Sequence, residues 1–233
     1  MKVALISFAR RGGMVHFQAE LATALAKVMP VVVVSAADVG PEYFPRTVSR
    51  LAVDAGQGAA GSLVKAANPA TWFRILRFLG KSRADVFHVV AAHEWNPILA
   101  ILVKLLHKPL VYTLHDPVPH RGAPLRMKLS NALVAKAADA IVVLTKYGRA
   151  NLLSRGFKPP TLFLIPLGVY SSLAKHSRKG QRTENLVLFF GRVEPYKGLH
   201  VLLSAFSSIS AALPGWRLLI AGTGALPGGH QTN

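Results

Sequence analysis

The chain of 233 residues has no cysteine, which excludes disulfides, thiolate metal sites and cysteine nucleophiles. It also has no apolar run near the roughly 18 residues that a membrane-spanning helix needs. The N-terminal MKVALISFARRGG has a short apolar stretch with no small-residue cleavage site behind it, which is typical of a buried strand rather than a signal peptide. These features predict a cytoplasmic protein and leave peripheral attachment to the inner face of the membrane open.

Two further absences concern bound groups. No set of His, Asp and Glu residues has the spacing of metal ligands, so we expect no bound metal. The glycines of IAGTGALPGG follow an apolar run, but Pro227 interrupts the pattern and no ribose-binding acid follows. They therefore do not form a dinucleotide fingerprint, and we expect no cofactor.

Acidic residues are scarce, because 10 Asp and Glu stand against 28 Lys and Arg, for a formal net charge of +18. A field of this size favours anionic partners, which include nucleic acid, an acidic membrane surface and phosphorylated substrates. The cations are spread from Arg10 to Arg217 rather than gathered in one arm, and no helix-turn-helix or basic stripe accompanies them. We therefore expect no specific nucleic-acid partner, while a membrane surface and a phosphorylated substrate both stay open.

Short apolar runs alternate with helix-length segments along most of the chain, of which 51% is hydrophobic. This alternation predicts an α/β fold in which a doubly wound, Rossmann-like parallel sheet is covered by right-handed crossovers. The N-terminal domain is expected over residues 1–168. Its expected strands lie at 3–9, 31–35, 47–53, 85–90, 110–115, 140–145 and 161–166. Its expected helices lie at 14–28, 63–79, 97–107, 124–138 and 146–155.

The composition turns polar and basic after this domain, and we interpret residues 169–182 as a linker. The pattern then restarts, with a strand at 185–191, a helix at 198–212 and a strand at 217–222. Residues 183–233 therefore read as the beginning of a second Rossmann-like domain. One such βαβ unit is too little for a complete domain, so we expect a truncated or decayed chain.

The segment TWFRILRFLGKSR (71–83) forms an amphipathic helix on a helical wheel. Trp72, Ile75 and Leu79 fall on one face, and Arg74 and Arg77 fall on the opposite face. A helix packed on its own sheet with a solvated outer face explains this pattern. A helix lying on an anionic bilayer explains it as well.

The stretch LFFGRVEPYKGLHVLLSAF (188–206) places two glycines and two cations between a strand and a helix. Gly191 allows a sharp exit from the strand, and Gly198 allows the backbone to approach a ligand. Helix N-termini attract anions, Arg192 can bind a phosphate in a fork, and Lys197 adds a mobile charge. The pattern predicts a diphosphate site, with solvated surface cations as the plainer alternative.

The chain resembles the retaining nucleotide-sugar glycosyltransferases of family 4, which have the GT-B fold. The segment GRVEPYKGLHVLLSAF resembles the opening of that family's second domain, and the other landmarks occur in the expected order. They are RRGGMVHFQAELATAL (10–25), DVFHVV with HEWNP (85–97), VYTLHD (111–116), and VLTKYGRANLLSRGF with LFLIPLGVY (143–170). The resemblance covers nearly the whole chain.

The resemblance implies transfer of a sugar from a nucleoside diphosphate sugar to a saccharide or lipid-linked acceptor. Arg192 and Lys197 would neutralise the departing diphosphate, Gly13 would bring backbone N–H groups to the same phosphates, and His115 would hydrogen-bond the transferred sugar. His93 and Glu94 follow another strand, where an acceptor is met, so either is a candidate base or orienting group, or part of a plain loop. A basic nucleic-acid-binding protein and a non-catalytic interaction protein are the competing hypotheses.

The chain departs from the family pattern in two places. The hinge motif Pro-Asn-Gly-Val-Asp is replaced after Pro166 by Leu167, Gly168, Val169 and Tyr170, so two polar groups are lost. The family's acidic Glu-x7-Glu motif, which holds the donor sugar, is absent from these residues. We therefore expect weak transfer or none from the chain as given.

Overall fold

The computed structural model describes residues 1–117, 124–157, 161–170 and 185–224. It divides into two compact units, Met1–His176 and Ser177–Asn233, each with a parallel sheet of its own. Most of the expected linker at 169–182 and the segment after residue 224 lie outside the described residues. The expected domain boundaries therefore stay predictions.

The first unit is built on a parallel sheet of seven strands in the order β3-β2-β1-β4-β5-β6-β7. The strands are β1 (Val3–Ile6), β2 (Val31–Ala36), β3 (Ser49–Val53), β4 (Val86–Val89), β5 (Leu110–Leu114), β6 (Ala140–Val143) and β7 (Leu162–Leu164). All are parallel, as the unbroken β-branched run of β2 predicts for a strand covered on both faces. The doubly wound fold expected from the sequence is confirmed.

Six helices of the described residues connect these strands. They are α1 (Gly13–Leu25), α2 (Gly58–Ala66), α3 (Pro69–Ser82), α4 (Asn96–Leu105), α5 (Leu125–Ala137) and α6 (Lys146–Ser154). Two of their starts are fixed by side-chain caps, because Asn68 Oδ1 accepts from Ala70 N and Thr145 Oγ1 accepts from Gly148 N, both at 2.9 Å.

The helix expected over 63–79 is in fact two helices, α2 and α3. Pro69 has no N–H to donate, and it disfavours helical geometry in the residue before it. Asn68 accordingly has an extended backbone and caps the new helix. The pair Asn68-Pro69 is a start signal for a helix, so the sequence itself marks this break.

The sheet separates two hydrophobic layers, because successive side chains of a strand point to opposite faces. Ala4 and Ile6 of β1 belong to the layer that includes Leu99 of α4 and Val134 of α5. Leu5 belongs to the other layer, which α1 covers. Both faces of the central strands are therefore buried.

Helix α3 packs on the sheet, as the first of its two interpretations predicts. Ile75 and Leu79 are buried, and Trp72 packs against the same core while its Nε1 donates to Ala66 O at 2.7 Å. Arg74 and Arg77 are exposed on the opposite side. The Trp72 side chain therefore packs against the core of the first unit.

The second unit contains one βαβ element within the described residues. Strands β8 (Leu186–Phe190) and β9 (Arg217–Ala221) pair in parallel, and helix α7 (Leu199–Ile209) connects them. Leu199 is the buried anchor of this helix. The strand, helix and strand expected here from the sequence are confirmed.

In the part of the chain that the structure describes, no helix combines the length and the apolar character required to cross a membrane.

The hydrogen-bonded pair of His88 on β4 and Thr113 on β5 makes the first unit sensitive to acid. Their side chains are 2.7 Å apart, from Nε2 to Oγ1. Burial, with a smaller effect of the His115 charge, lowers the pKa of His88 to about 4. An unfolded histidine has a pKa of about 6.5, so the unfolded chain binds more protons between these values and stability falls as the pH falls.

We predict that His88 alone contributes a loss of about 2 kcal/mol of unfolding free energy between pH 7 and pH 5. His88→Gln keeps a hydrogen-bonding group for Thr113 but does not titrate, so its stability should decline less over that range. Urea titrations followed by tryptophan fluorescence at both pH values measure the difference. Equal declines for the two proteins would show that His88 is already free to protonate in the folded state.

Candidate functional site

The order of the strands locates a crevice at one edge of the first sheet. Strand β1 lies between β2 and β4, so the connections after β1 and β4 diverge at this point. Open α/β sheets bind ligands beyond the carboxyl ends of their strands at such a position. The predicted residues Gly13, His93, Glu94 and His115 all follow carboxyl ends of this sheet, after β1, β4 and β5.

The glycine loop after β1 enters helix α1 through a conformation that only glycine adopts readily. Gly12 has φ 76° and ψ −162°, whereas Gly13 is the first residue of the helix and has no positive φ. A Cβ on Gly13 would lie 3.7 Å from Tyr170 Oη, an ordinary contact. The backbone conformation therefore requires glycine at position 12. It does not require glycine at position 13, which was the position predicted to approach phosphate.

The start of α1 is suited to an anion. No acidic residue lies in its first turn, and Val15 N–H is already bonded to Gly12 O, so the amides of Gly13 and Met14 face the helix terminus. A cavity of about 190 Å³ adjoins them. It is lined by Arg10, Arg11, Gly12, Val15, His16, Asp38, Val39 and Tyr43.

Gln18 fixes α1 beneath this loop, a role that was not predicted from the sequence. It is a buried polar residue whose Nε2 donates to Val34 O at 2.9 Å and to Leu5 O at 3.3 Å. These carbonyls belong to two neighbouring strands, so one amide joins the helix to β1 and β2. Its position among apolar residues of an amphipathic helix was the available signal.

His115 directly follows β5 and is held by two neighbours. Its Nε2 lies 2.9 Å from Val90 O, and its ring meets Phe17 edge to face at 4.9 Å between centroids. Burial lowers the pKa of His115, and the Val90 carbonyl and Asp116 oppose this only in part. Because a neutral ring donates Nε2–H to the carbonyl, Nδ1 is left as a hydrogen-bond acceptor.

His93 is more deeply built in than a plain loop residue. Its Nδ1 accepts from Trp95 N at 3.2 Å, and its ring packs against the rings of Phe8 and Trp95, with centroids 5.3 and 5.7 Å away. Burial lowers the pKa of His93 to about 4, although the charge of Glu94 acts in the opposite direction. With Nδ1 engaged, the ring can offer Nε2–H to a ligand and is poorly suited to act as a base.

Glu94 is an ionised group in an ion pair. Its Oε2 accepts from Arg126 Nε of helix α5 at 2.8 Å. Partial burial acts to raise its pKa, but the neighbouring Ser62 hydroxyl and the Arg126 guanidinium outweigh burial and lower it. Glu94 is therefore a fixed negative charge near neutral pH, and it joins the loop after β4 to the start of α5.

Tyr170 occupies the place where the resembling family has an aspartate. Its hydroxyl donates to Gly13 O at 3.3 Å, and its ring lies 6.0 Å from that of His16. Burial raises the pKa of this phenol, as does the charge of Glu20. The substitution thus exchanges a carboxylate for an aromatic side chain resting on the glycine loop.

In the second unit, the loop after β8 carries the two predicted cations. Gly191 has φ 140° and Gly198 has φ 70°, so both glycines adopt conformations that other residues rarely take. Lys197 Nζ lies 5.2 Å from the centre of the Tyr196 ring, and Arg192 Nη1 lies 3.8 Å from Glu194 Oε1. Both cations are exposed: Arg192 lies just after β8, and Lys197 lies two residues before α7.

Gly222 and Gly224 shape this loop from the neighbouring strand. The loop bonds to the chain after β9 through Gly191 N to Ala221 O at 2.9 Å and Val193 N to Thr223 O at 2.8 Å. A Cβ on Gly222 would overlap the Gly191 carbonyl, and one on Gly224 would press on Val193. The two glycines therefore serve close backbone packing between the loop after β8 and the chain after β9.

Among the residues that the structure describes, no group of three or more His, Asp or Glu side chains is placed to hold a metal ion.

Comparisons with known families cover both units. Residues 11–172 match the family model described as Glycosyltransferase Family 4, and residues 173–232 match the one described as Glycosyl transferases group 1. Among curated proteins, GDP-mannose:cellobiosyl-diphosphopolyprenol alpha-mannosyltransferase of Xanthomonas campestris is 30% identical over 144 residues, which are 60% of this chain and 37% of that protein. D-inositol 3-phosphate glycosyltransferase of Segniliparus rotundus is 25% identical over 154 residues, covering 58% of this chain and 34% of its own length. The chain spans less than half the length of these relatives.

Solved structures share the fold at low sequence identity. HepE of Anabaena, in complex with UDP and glucose, has a TM-score of 0.68 and 17% identity, with 94% of this chain and 60% of that chain covered. UDP-GlcNAc 2-epimerase of Neisseria meningitidis, bound to UDP-GlcNAc, has a TM-score of 0.68 and 12% identity, with 96% and 66% covered. These likenesses agree with the fold class expected from the sequence.

The two adjacent glycines of the loop after β1 can be separated by mutation. We predict that Gly12→Ala costs about 1–3 kcal/mol of stability because it strains the backbone, whereas Gly13→Ala leaves stability unchanged or slightly higher. If Gly13 serves close approach to phosphate, Gly13→Ala should still weaken the binding of UDP or inorganic pyrophosphate. Urea unfolding and isothermal titration measure the two effects. Unchanged affinity in Gly13→Ala would remove Gly13 from the site.

Proposed function

The chain belongs to glycosyltransferase family 4, and from this premise we propose that it serves transfer of a sugar from a nucleoside diphosphate sugar to a saccharide or lipid-linked acceptor. The observation that carries the proposal is the loop after β8. There, Arg192 is exposed just beyond the carboxyl end of a parallel strand, and Lys197 is exposed two residues before the N-terminus of α7. This combination is suited to a diphosphate group.

The chemistry assigned to this loop is electrostatic. As the bond from the sugar to the diphosphate breaks, negative charge develops on the departing phosphate oxygens. Arg192 and Lys197 would neutralise that charge, and the helix terminus would add backbone N–H groups. Val201 N and Leu202 N are already bonded to Gly198 O, so Leu199 N and His200 N are the amides that face the terminus. Retention of the anomeric configuration is part of the same proposal.

In the first unit, each predicted residue has a role that its hydrogen bonds permit. His115 would accept a hydrogen bond from a hydroxyl of the transferred sugar at Nδ1, because Nε2 is occupied by Val90 O. His93 would donate Nε2–H to an acceptor hydroxyl, and the ion pair of Glu94 with Arg126 would hold the loop in place. The glycine loop would approach the donor phosphates through the amides of Gly13 and Met14.

The names of the relatives support the substrate classes but not one substrate. The Xanthomonas relative is named for a GDP-mannose donor and a cellobiosyl-diphosphopolyprenol acceptor, and the Segniliparus relative for D-inositol 3-phosphate. The Anabaena structure holds UDP and glucose. Both named acceptors carry phosphate, which agrees with the net charge of +18. We place the protein in the cytoplasm, at the inner face of the membrane when the acceptor is lipid-linked.

A binding comparison tests the proposed class. Isothermal titration at moderate salt, where nonspecific charge binding fades, should show tighter binding of UDP, GDP or their sugars than of NAD or duplex DNA. Incubation of the same chain with labelled donor and a lipid-linked acceptor then tests transfer. Equal or stronger retention of duplex DNA at that salt would favour the nucleic-acid-binding hypothesis, and binding of donor without any transfer would favour a non-catalytic role.

The cationic loop itself is tested by single substitutions. We predict that Arg192→Ala and Lys197→Ala each weaken nucleoside diphosphate binding about tenfold or more, because each removes a charge-assisted contact of roughly 1.5–3 kcal/mol. Arg217→Ala is the matched control, since Arg217 is an exposed arginine at the opposite end of the same small sheet. If Arg217→Ala loses as much nucleoside diphosphate affinity as the two loop variants, the loss reflects net charge alone. The loop after β8 would then be only a solvated turn.

A further inference from the structure

Tyr170 contacts the glycine loop from the opposite end of the first unit's sequence. Strand β7 ends at Leu164, and the chain after it brings the Tyr170 hydroxyl to the carbonyl of Gly13, to which it donates at 3.3 Å. The two residues are 157 positions apart. The Tyr170 ring also lies 6.0 Å from that of His16, the fourth residue of α1. Tyr170 therefore joins the segment after β7 to the start of α1.

The carbonyl that Tyr170 binds shares a peptide group with the amide of Met14. The C=O of one residue and the N–H of the next belong to one planar, resonance-stabilised unit. A hydrogen bond accepted by the C=O polarises that unit and makes its N–H a stronger donor. No described residue accepts a hydrogen bond from Met14 N, which faces the helix terminus. The Tyr170 hydroxyl and the open Met14 N–H therefore lie at the two ends of one polarised group.

The bond from Tyr170 is compatible with the helix and with a ligand. In an α-helix the Gly13 carbonyl accepts from the amide four residues on, and its second lone pair accepts from Tyr170. The separation of 3.3 Å is long for an O–H···O bond, which is typically about 2.7–2.8 Å. An anion bound to Met14 N–H would increase the negative charge on the Gly13 oxygen and shorten this bond. The hydroxyl and the anion thus strengthen each other's hydrogen bonds.

We propose that Tyr170 is a positioning residue for the phosphate group of the ligand, because it orients and strengthens the Met14 N–H through the Gly13 carbonyl. This inference rests on the role proposed above for the glycine loop. A carboxylate at position 170, as in the resembling family, is ionised near neutral pH and has no proton to donate to this carbonyl. The tyrosine therefore gives this chain a donor where the family pattern supplies an acceptor.

Selective ¹⁵N labelling of methionine tests the inference at the amide itself. The chain has 4 methionines, so the spectrum contains few amide signals, and Met14→Leu assigns the signal of Met14. Tyr170→Phe keeps the ring and removes the hydrogen bond to Gly13 O. In the ligand-free protein it should move the Met14 amide proton upfield, because the N–H becomes less polarised. A ring that only packs against His16 would not produce this shift.

Titration with inorganic pyrophosphate tests the link to the ligand. The Met14 signal should move downfield in the parent chain and in Tyr170→Phe, with an affinity about two- to fivefold weaker in the variant. Tyr170→Asp should bind pyrophosphate more weakly still, because it adds a negative charge beside the loop. The Met14 signal reports on its own loop, so binding of pyrophosphate elsewhere in the chain does not obscure the result.

The matched control is Tyr147→Phe, which removes a hydroxyl from a side chain of α6 that is 71% exposed. It should leave the Met14 signal and the pyrophosphate affinity unchanged. An unmoved Met14 signal in ligand-free Tyr170→Phe, or an affinity equal to that of the parent chain, would overturn the inference. So would pyrophosphate that binds without moving the Met14 signal. UDP binding that still depends on Arg192 and Lys197 would then show that the proposed function stands without this role of Tyr170.

Discussion

Parallel pairing of β1 with β2 on one side and β4 on the other is the constraint on which the first unit depends. Because the three strands are parallel, their carboxyl ends lie at the same edge of the sheet. The crossovers that follow β1 and β4 run in opposite directions from it. The start of α1 lies at that edge, which is where open α/β sheets bind their ligands. Gln18 completes the arrangement by bonding to carbonyls of β1 and β2.

The excess of cations has several separate uses in the described residues. Arg10 is bound by Asp38 and Gly56 O, and Arg50 bonds to Ser35 Oγ at 2.6 Å and to Ala36 O at 3.0 Å. These two arginines support loops of the protein itself. Lys104 and Arg126 pair with acids that join neighbouring elements. The cations Arg192 and Lys197 of the loop after β8, by contrast, are exposed to solvent, as are Arg74 and Arg77 of α3.

The strands and the fold could be predicted well from the sequence. Buried parallel strands have continuous apolar sequences, and such runs can be recognised from neighbouring residues alone. The sequence also predicted that the glycine loop, His93, Glu94 and His115 follow strand ends. It did not predict the surroundings of these residues. The contact of His93 with Phe8, the bond from Tyr170 to Gly13, and the bonds from Gln18 to the carbonyls of Leu5 and Val34 all join residues that are distant in the chain.

Local backbone geometry is the second reason why the structure differs from the predictions made from the sequence. Only backbone angles show that Gly12, rather than Gly13, carries the strained conformation. Likewise, the break at Asn68 and Pro69 comes from the backbone limits of a single proline, and it separates α2, where Ser62 is buried, from α3, which buries Ile75 and Leu79. At both places, the backbone conformation of one or two residues determines the local structure, whatever structure the surrounding apolar pattern predicts.

The packing of Gly222 and Gly224 against the loop after β8 has a consequence for evolution. The path of that loop is held by main-chain contacts with the neighbouring strand, and its outward side chains take no part in those contacts. Selection can therefore replace the cations of the loop, and so change the ligand, without redesigning the scaffold. Replacing either glycine has the opposite effect, because it alters the scaffold and leaves the chemistry of the side chains intact.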